Sequence, residues 1–188
     1  MLEWIKSTDT SIFLAINGWH SEIFDFIMWW ASERFIWIPL YLFFVWLIYK
    51  QFGRKVWLIV LFGGLTIVMS DQTSVLLFKQ VFHRLRPCHE PAISELVHLV
   101  NGKCGGRFGF ISSHAANSFA LATYLSLMLG KKMRFFTLLV FIWALLLCYS
   151  RVYLGVHYPG DVIVGAIWGA GIGAAMFEVV NKAIKLNT

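Results

Sequence analysis

FFTLLVFIWALLLCYSRVYLGVHYPGDVIVGAIWGAGIGAAMFEVV, residues 135–180, holds two long apolar runs separated by a short polar joint. The runs, about Phe135–Tyr149 and Val162–Val180, have the composition of membrane spans, and their ends reach into polar flanks to make up the roughly 20 residues a span needs. The joint carries Ser150, Arg151, His157 and Asp161. Charge at the end of a span is expensive to keep there and is normally functional. Three further apolar runs precede these two, at about Phe35–Tyr49, Val56–Phe78 and Ala115–Leu129. The predicted fold is therefore an all-α integral membrane bundle of about five transmembrane helices.

Composition points the same way. The 188 residues are 59% hydrophobic and 14% charged, against about 25% charged in a soluble domain. One membrane-embedded domain is expected over residues 1–188, with interfacial helices over 1–32 and a transmembrane core over 33–188. The first thirty residues mix Leu2, Ile5, Ile12, Phe13 and Ile16 with Glu3, Lys6, Asp9 and Asn17, and His20, Glu22 and Asp25 interrupt the next apolar stretch. Each charge costs roughly 3 kcal/mol at the bilayer centre. Amphipathic helices lying in the interface, anchored by Trp4, Trp19, Trp29 and Trp30, are expected here, with a sixth span as the rival. The start Met1-Leu2-Glu3-Trp4-Ile5-Lys6 lacks the pattern of a cleavable signal.

The formal net charge is +6, placed at span ends, and reads as topology and anion binding and not as nucleic-acid binding. Lys50, Arg54 and Lys55, then Lys131, Lys132 and Arg134, then Lys182 and Lys185 share one side, assigned to the cytoplasm by the positive-inside rule. Three polar clusters fall on the opposite side: Lys79 with Arg86-Pro87, Ser112-Ser113-His114, and Ser150-Arg151 with His157 and Asp161. Lys79, Arg86 and Arg151 are the forked and point cations that a phosphate's oxygens need. Ser112 and Ser113 precede a helix and offer backbone N–H groups to an anion. His157 is a candidate nucleophile, Asp161 four residues on can orient its ring, and His114 can protonate a departing alkoxide.

Lys79-x6-Arg86-Pro87, Ser112-Ser113-His114 and Ser150-Arg151-x5-His157-x3-Asp161 resemble the three-part signature of the type-2 phosphatidic acid phosphatase superfamily. Its second part usually reads Pro-Ser-Gly-His, where this chain has Ile111 and Ser113. The resemblance implies a metal-independent, cofactor-free phosphatase acting through a phosphohistidine on His157. Asp161 would orient the ring, His114 would serve the leaving group, and Lys79, Arg86, Ser112, Ser113 and Arg151 would hold the phosphate. It implies a membrane lipid phosphate substrate, of phosphatidic acid, phosphatidylglycerol phosphate or undecaprenyl pyrophosphate type. It also implies a multi-pass place in the bacterial inner membrane, with the site on the outer face.

Other readings stand beside it. A phosphotransferase would keep the histidine and change the acceptor, a scaffold protein would need none of the cluster, and vanadate-dependent haloperoxidases share the motifs but are soluble. His83, His89 and His98 with Cys88 and Cys104 invite zinc but lack a paired ligand motif. A Cys88–Cys104 disulfide is the alternative on an oxidising side. Arg84, Lys103 and Arg107 are expected at lipid head groups or a second phosphate, and Tyr153 and Tyr158 at the site or in an interfacial belt. Gly165, Gly169 and Gly173 form a smooth helix strip suited to close contact within the bundle. Ser70, Asp71, Gln72, Thr73 and Ser74 form a polar patch expected to bond a neighbouring helix or face the site.

Overall fold

The computed structural model describes residues 2–130 and 133–184. Lys131, Lys132 and Lys185, part of the basic count above, lie outside them. The order is α1 (Leu2–Asn17), α2 (Glu22–Ser32), α3 (Ile38–Phe52), α4 (Val56–Thr73), a single turn α5 (Gln80–Phe82), α6 (Ser113–Leu129), α7 (Arg134–Tyr153) and α8 (Pro159–Ile184). Three stretches among the described residues are long and apolar enough to cross a membrane, Arg34–Phe82, Arg134–Tyr153 and Pro159–Ile184. The first is a pair of helices reversed at Gly53, whose φ of 55° lies in the left-handed region.

α6 and α8 form the axis of the bundle. The glycine strip does its expected work inside the molecule: a methyl on Gly165 would lie 2.7 Å from the Ser112 carbonyl oxygen, and one on Gly169 or Gly173 would collide with the carbonyls of Ala116 and Ala120. Small residues thus let the two backbones touch, which fixes the start of α6 against the start of α8. The main core is built on this axis by Phe44 and Ile48 of α3, Ile59 of α4, Tyr124 and Leu125 of α6, Val140 and Trp143 of α7, and Phe177 of α8. At one end Lys55 donates to the carbonyl of Ile184 at 2.9 Å, gathering Lys55 and the end of α8 together.

The N-terminal helices depart from a purely interfacial role. Along α1, Asp9 accepts from the N–H of Gly160, Phe13 meets Tyr158 edge-on at 5.4 Å, and Asn17 donates to the carbonyl of Tyr153. All three contacts reach the junction of α7 and α8, so α1 lies across the end of the bundle and braces it. Trp4 and Trp19 remain exposed, whereas Trp29 packs against the cluster around Tyr153.

The polar patch on α4 serves both of its expected ends. Asp71 accepts from Asn117 of α6 at 3.3 Å, and Thr73 accepts from Trp168 of α8 at 2.9 Å. After Thr73 the helix widens into a π-helical segment, Ser74–Lys79. Such widening is frequent at functional sites, and Lys79 is the last residue of the segment.

Candidate active site

Local rules bring the three motifs together. α7 ends at Tyr153, Gly155 takes a φ of 76°, and the chain curls so that the N–H of His157 donates to the carbonyl of Arg151 at 3.2 Å. A side chain at Gly155 would meet the carbonyl of His98 at 2.7 Å, so glycine is required twice over. Pro87 forces the residue before it out of the helical region. Arg86 is accordingly extended, and its N–H pairs with the carbonyl of Arg107 at 3.1 Å beside the Gly109–Arg84 bond. The side chain of Arg86 then lies on Gly109, and its guanidinium donates to the carbonyls of Cys104 (3.2 Å) and Phe108 (3.4 Å).

Lys79, Arg86, Ser113, His114, Arg151 and His157 all line one cavity of about 560 Å³. Lys79 donates to Ser113 Oγ at 2.7 Å, and Ser113 in turn shares a hydrogen bond with Ser74 at 2.6 Å. The serine that replaces glycine in the signature therefore holds the lysine in place. Arg151 donates to the hydroxyl of Ser32. Deeper in, Trp37, Tyr41, Trp143 and Leu147 give the cavity an apolar wall.

His157 is buried, and its Nδ1 lies 3.5 Å from Asp161 Oδ2, facing the carboxylate without a short hydrogen bond. Burial pulls its pKa well below the ordinary histidine value, and the neighbouring cations Arg86, Arg151 and Lys79 pull the same way. Both effects favour the neutral imidazole. Burial likewise lowers the pKa of Arg86, against the nearby charge of Asp161.

Several residues sit elsewhere than the sequence leads one to expect. Arg84 does not reach out to head groups: it donates to Asp161 Oδ1 and to Asp9 Oδ2, both at 2.7 Å, and stacks over Tyr158 at 4.1 Å. Burial lowers its pKa, but Asp161 and Asp9 outweigh burial and leave it raised. Tyr153 and Tyr158 are both buried and form no belt, with the Tyr153 hydroxyl donating to Asp25 at 2.7 Å. Ser112 is buried outside the cavity, and its N–H donates to the carbonyl of Asp161 at 3.0 Å. It joins α6 to α8, leaving Ser113 and His114 as the first-turn residues that face the cavity. Lys103 lies over Trp29 at 4.8 Å and Arg107 over Phe108 at 5.8 Å.

The histidines proposed for zinc go different ways. His83 meets Phe108, and His98 is held by Asp25 and stacked on His20. Cys88, His89 and Cys104 do cluster, but the two sulfurs are bonded to each other, and a disulfide offers no thiolate. Arg34 and Ser32 also line the cavity, just ahead of the apolar run that begins at Phe35. Their one available signal was position beside a span end.

The chain resembles known proteins in sequence and in fold. The family model described as PAP2 superfamily matches residues 58–185. The chain is 40% identical over 184 residues to a lipid A 4'-phosphatase of Bacteroides thetaiotaomicron, covering 97% of this chain and 81% of that protein. It is 33% identical over 181 residues to a lipid A 4'-phosphatase of Porphyromonas gingivalis, covering 95% and 75%. Among solved structures, a transmembrane PAP2-type phosphatidylglycerolphosphate phosphatase from Bacillus subtilis superposes with a TM-score of 0.67 at 21% identity, over 95% of this chain and 87% of that one. Aquifex aeolicus LpxE gives 0.63 at 24% identity, over 90% and 94%. These two establish the likeness of fold.

Proposed function

The chain belongs to the PAP2 superfamily, and on that premise we propose that it is a multi-pass bacterial membrane phosphatase that removes phosphate from a glycolipid through a phosphohistidine on His157. The observation that carries this reading is the meeting of Lys79, Arg86, Arg151, His114 and His157 from separate segments on one cavity. Three cations neutralise the phosphate's oxygens and hold it for in-line attack. His157 presents Nε2, because Nδ1 faces Asp161. Nε2 bonds to phosphorus as the ester P–O bond breaks, and His114 gives a proton to the departing oxygen. Water then gives a proton back to His114 and attacks phosphorus. The P–N bond breaks, and inorganic phosphate leaves.

Asp161 acts at a distance of 3.5 Å, an approach that tightens once a phosphate sits on Nε2 and the ring carries charge. The glycolipid is favoured because both relatives matched over nearly the whole chain carry the name lipid A 4'-phosphatase. The polar ends of the helices at the site lie opposite the basic loop at Lys55, which supports an outward-facing site in the inner membrane. The test is phosphate release by detergent-purified protein with EDTA present, from a phosphorylated disaccharide lipid, phosphatidic acid, phosphatidylglycerol phosphate and a polyprenyl pyrophosphate. Release that survives EDTA and is lost in His157→Ala supports the reading. Release from none of the four refutes it, and release of the dephosphorylated lipid without inorganic phosphate identifies a transferase instead.

A further inference from the structure

A second cavity of about 230 Å³ adjoins the first and shares Ser32, Arg34, His114 and Arg151 with it. The Arg151–Ser32 hydrogen bond stands at the partition. The smaller cavity contains none of Lys79, Arg86 and His157. It is walled instead by Trp29, Glu33, Lys103, Cys104 and Gly105.

In-line displacement puts the leaving oxygen on the side of phosphorus away from the nucleophile. His157 lies outside the smaller cavity, and His114, the residue that serves the leaving oxygen, lines it. We propose that this second cavity is the leaving-group subsite, and that it takes a hydroxyl-bearing sugar ring attached to the scissile phosphate. This rests on the phosphatase reading above. The volume of about 230 Å³ lies below the roughly 300–1,000 Å³ of drug-sized ligand sites, enough for one ring and too little for a ring with its acyl chains. The wall chemistry suits a sugar ring: Glu33 accepts from hydroxyls, Lys103 and Arg34 donate to them, and Val100, Leu154 and Val156 supply an apolar face. A lipid whose leaving group is a diacylglycerol would leave Glu33 and Lys103 without partners from the ligand.

Lys103 is exposed and lies over the ring of Trp29 from outside, so its removal spares the fold. The test compares kcat/KM for a phosphorylated disaccharide lipid and for phosphatidic acid, in the full chain and in Lys103→Ala and Glu33→Gln. Each variant is expected to lose about tenfold on the sugar substrate, the size of one charge-assisted hydrogen bond, and to stay within about twofold on phosphatidic acid. Equal losses on both substrates, or no loss on either, overturn the subsite. Wild-type release from phosphatidic acid but not from the sugar lipid also overturns it while leaving the phosphatase reading intact. Release from no lipid phosphate rejects both.

Discussion

Replacing Arg84 by methionine keeps the apolar cover over Tyr158 and removes the charge shared by Asp161 and Asp9. Asp161 has 0% side-chain exposure and Asp9 12%, so Asp161 cannot turn to water for compensation and Asp9 can do so only in part. Breaking a buried pair by taking one partner costs about 3–5 kcal/mol. In a chain of this size that corresponds to a fall of roughly 6–20 °C in Tm. The same change releases the carboxylate that faces His157, so kcat should fall while KM for the phosphate moves less, since Lys79, Arg86 and Arg151 are untouched. Unfolding in detergent followed by tryptophan fluorescence gives the first quantity, and phosphate release gives the second. Asp9→Asn added to Arg84→Met should recover part of the stability and none of the rate. An Arg84→Met protein with wild-type Tm and wild-type kcat would refute the brace from α1 through Arg84 to Asp161.

Three further outcomes are expected. The pKa of His157 is depressed, so the acid limb of kcat/KM should fall below pH 6.5, and Arg86→Gln should move it upward toward that value. By the same sign the folded state has its full share of stability from His157 above pH 6.5 and loses it as pH falls toward the depressed value, which acid titration of Tm would detect. Gly169→Leu drives a side chain into the carbonyl of Ala116 and should abolish folding or cost more than about 3 kcal/mol, read as loss of monodisperse protein in detergent. Cys88 and Cys104 close a loop with a sequence separation of 16, and Cys88→Ser with Cys104→Ser should cost up to about 3 kcal/mol and raise KM through the Cys104–Arg86 contact, measured by thermal unfolding and by kinetics.

The sequence made the helices legible because a bilayer imposes a crude rule, long apolar runs with charge at their ends, and the motifs legible because phosphate demands cations and a histidine in recognisable spacing. The glycine strip was readable for the same reason, since four-residue spacing of glycines has few other uses. Arg84 was not readable. Its partners lie 75 and 77 positions away in sequence, and nothing local separates a cation that braces a carboxylate from one that meets a head group. Ser112 misled because a serine before a helix suits an anion site, while the close approach of α6 to α8 gives its N–H to Asp161 instead. Tyr153 and Tyr158 misled in a similar way: tyrosines at span ends fit a belt until α1 is seen to lie over them. Arg34 and Ser32 reach the cavity only because the end of α2 folds beside Arg151, a contact that no periodicity encodes.

The proposed mechanism turns on a covalent bond between His157 and phosphorus. Rapid acid-free quenching of the enzyme with a lipid phosphate labelled at phosphorus, followed by mapping of the label, tests it most directly. The expected result is protein-bound label that is stable to alkali, labile to acid, confined to the peptide containing His157 and absent from His157→Ala. Steady turnover with label on another residue, or undiminished phosphate release by His157→Ala, would contradict it.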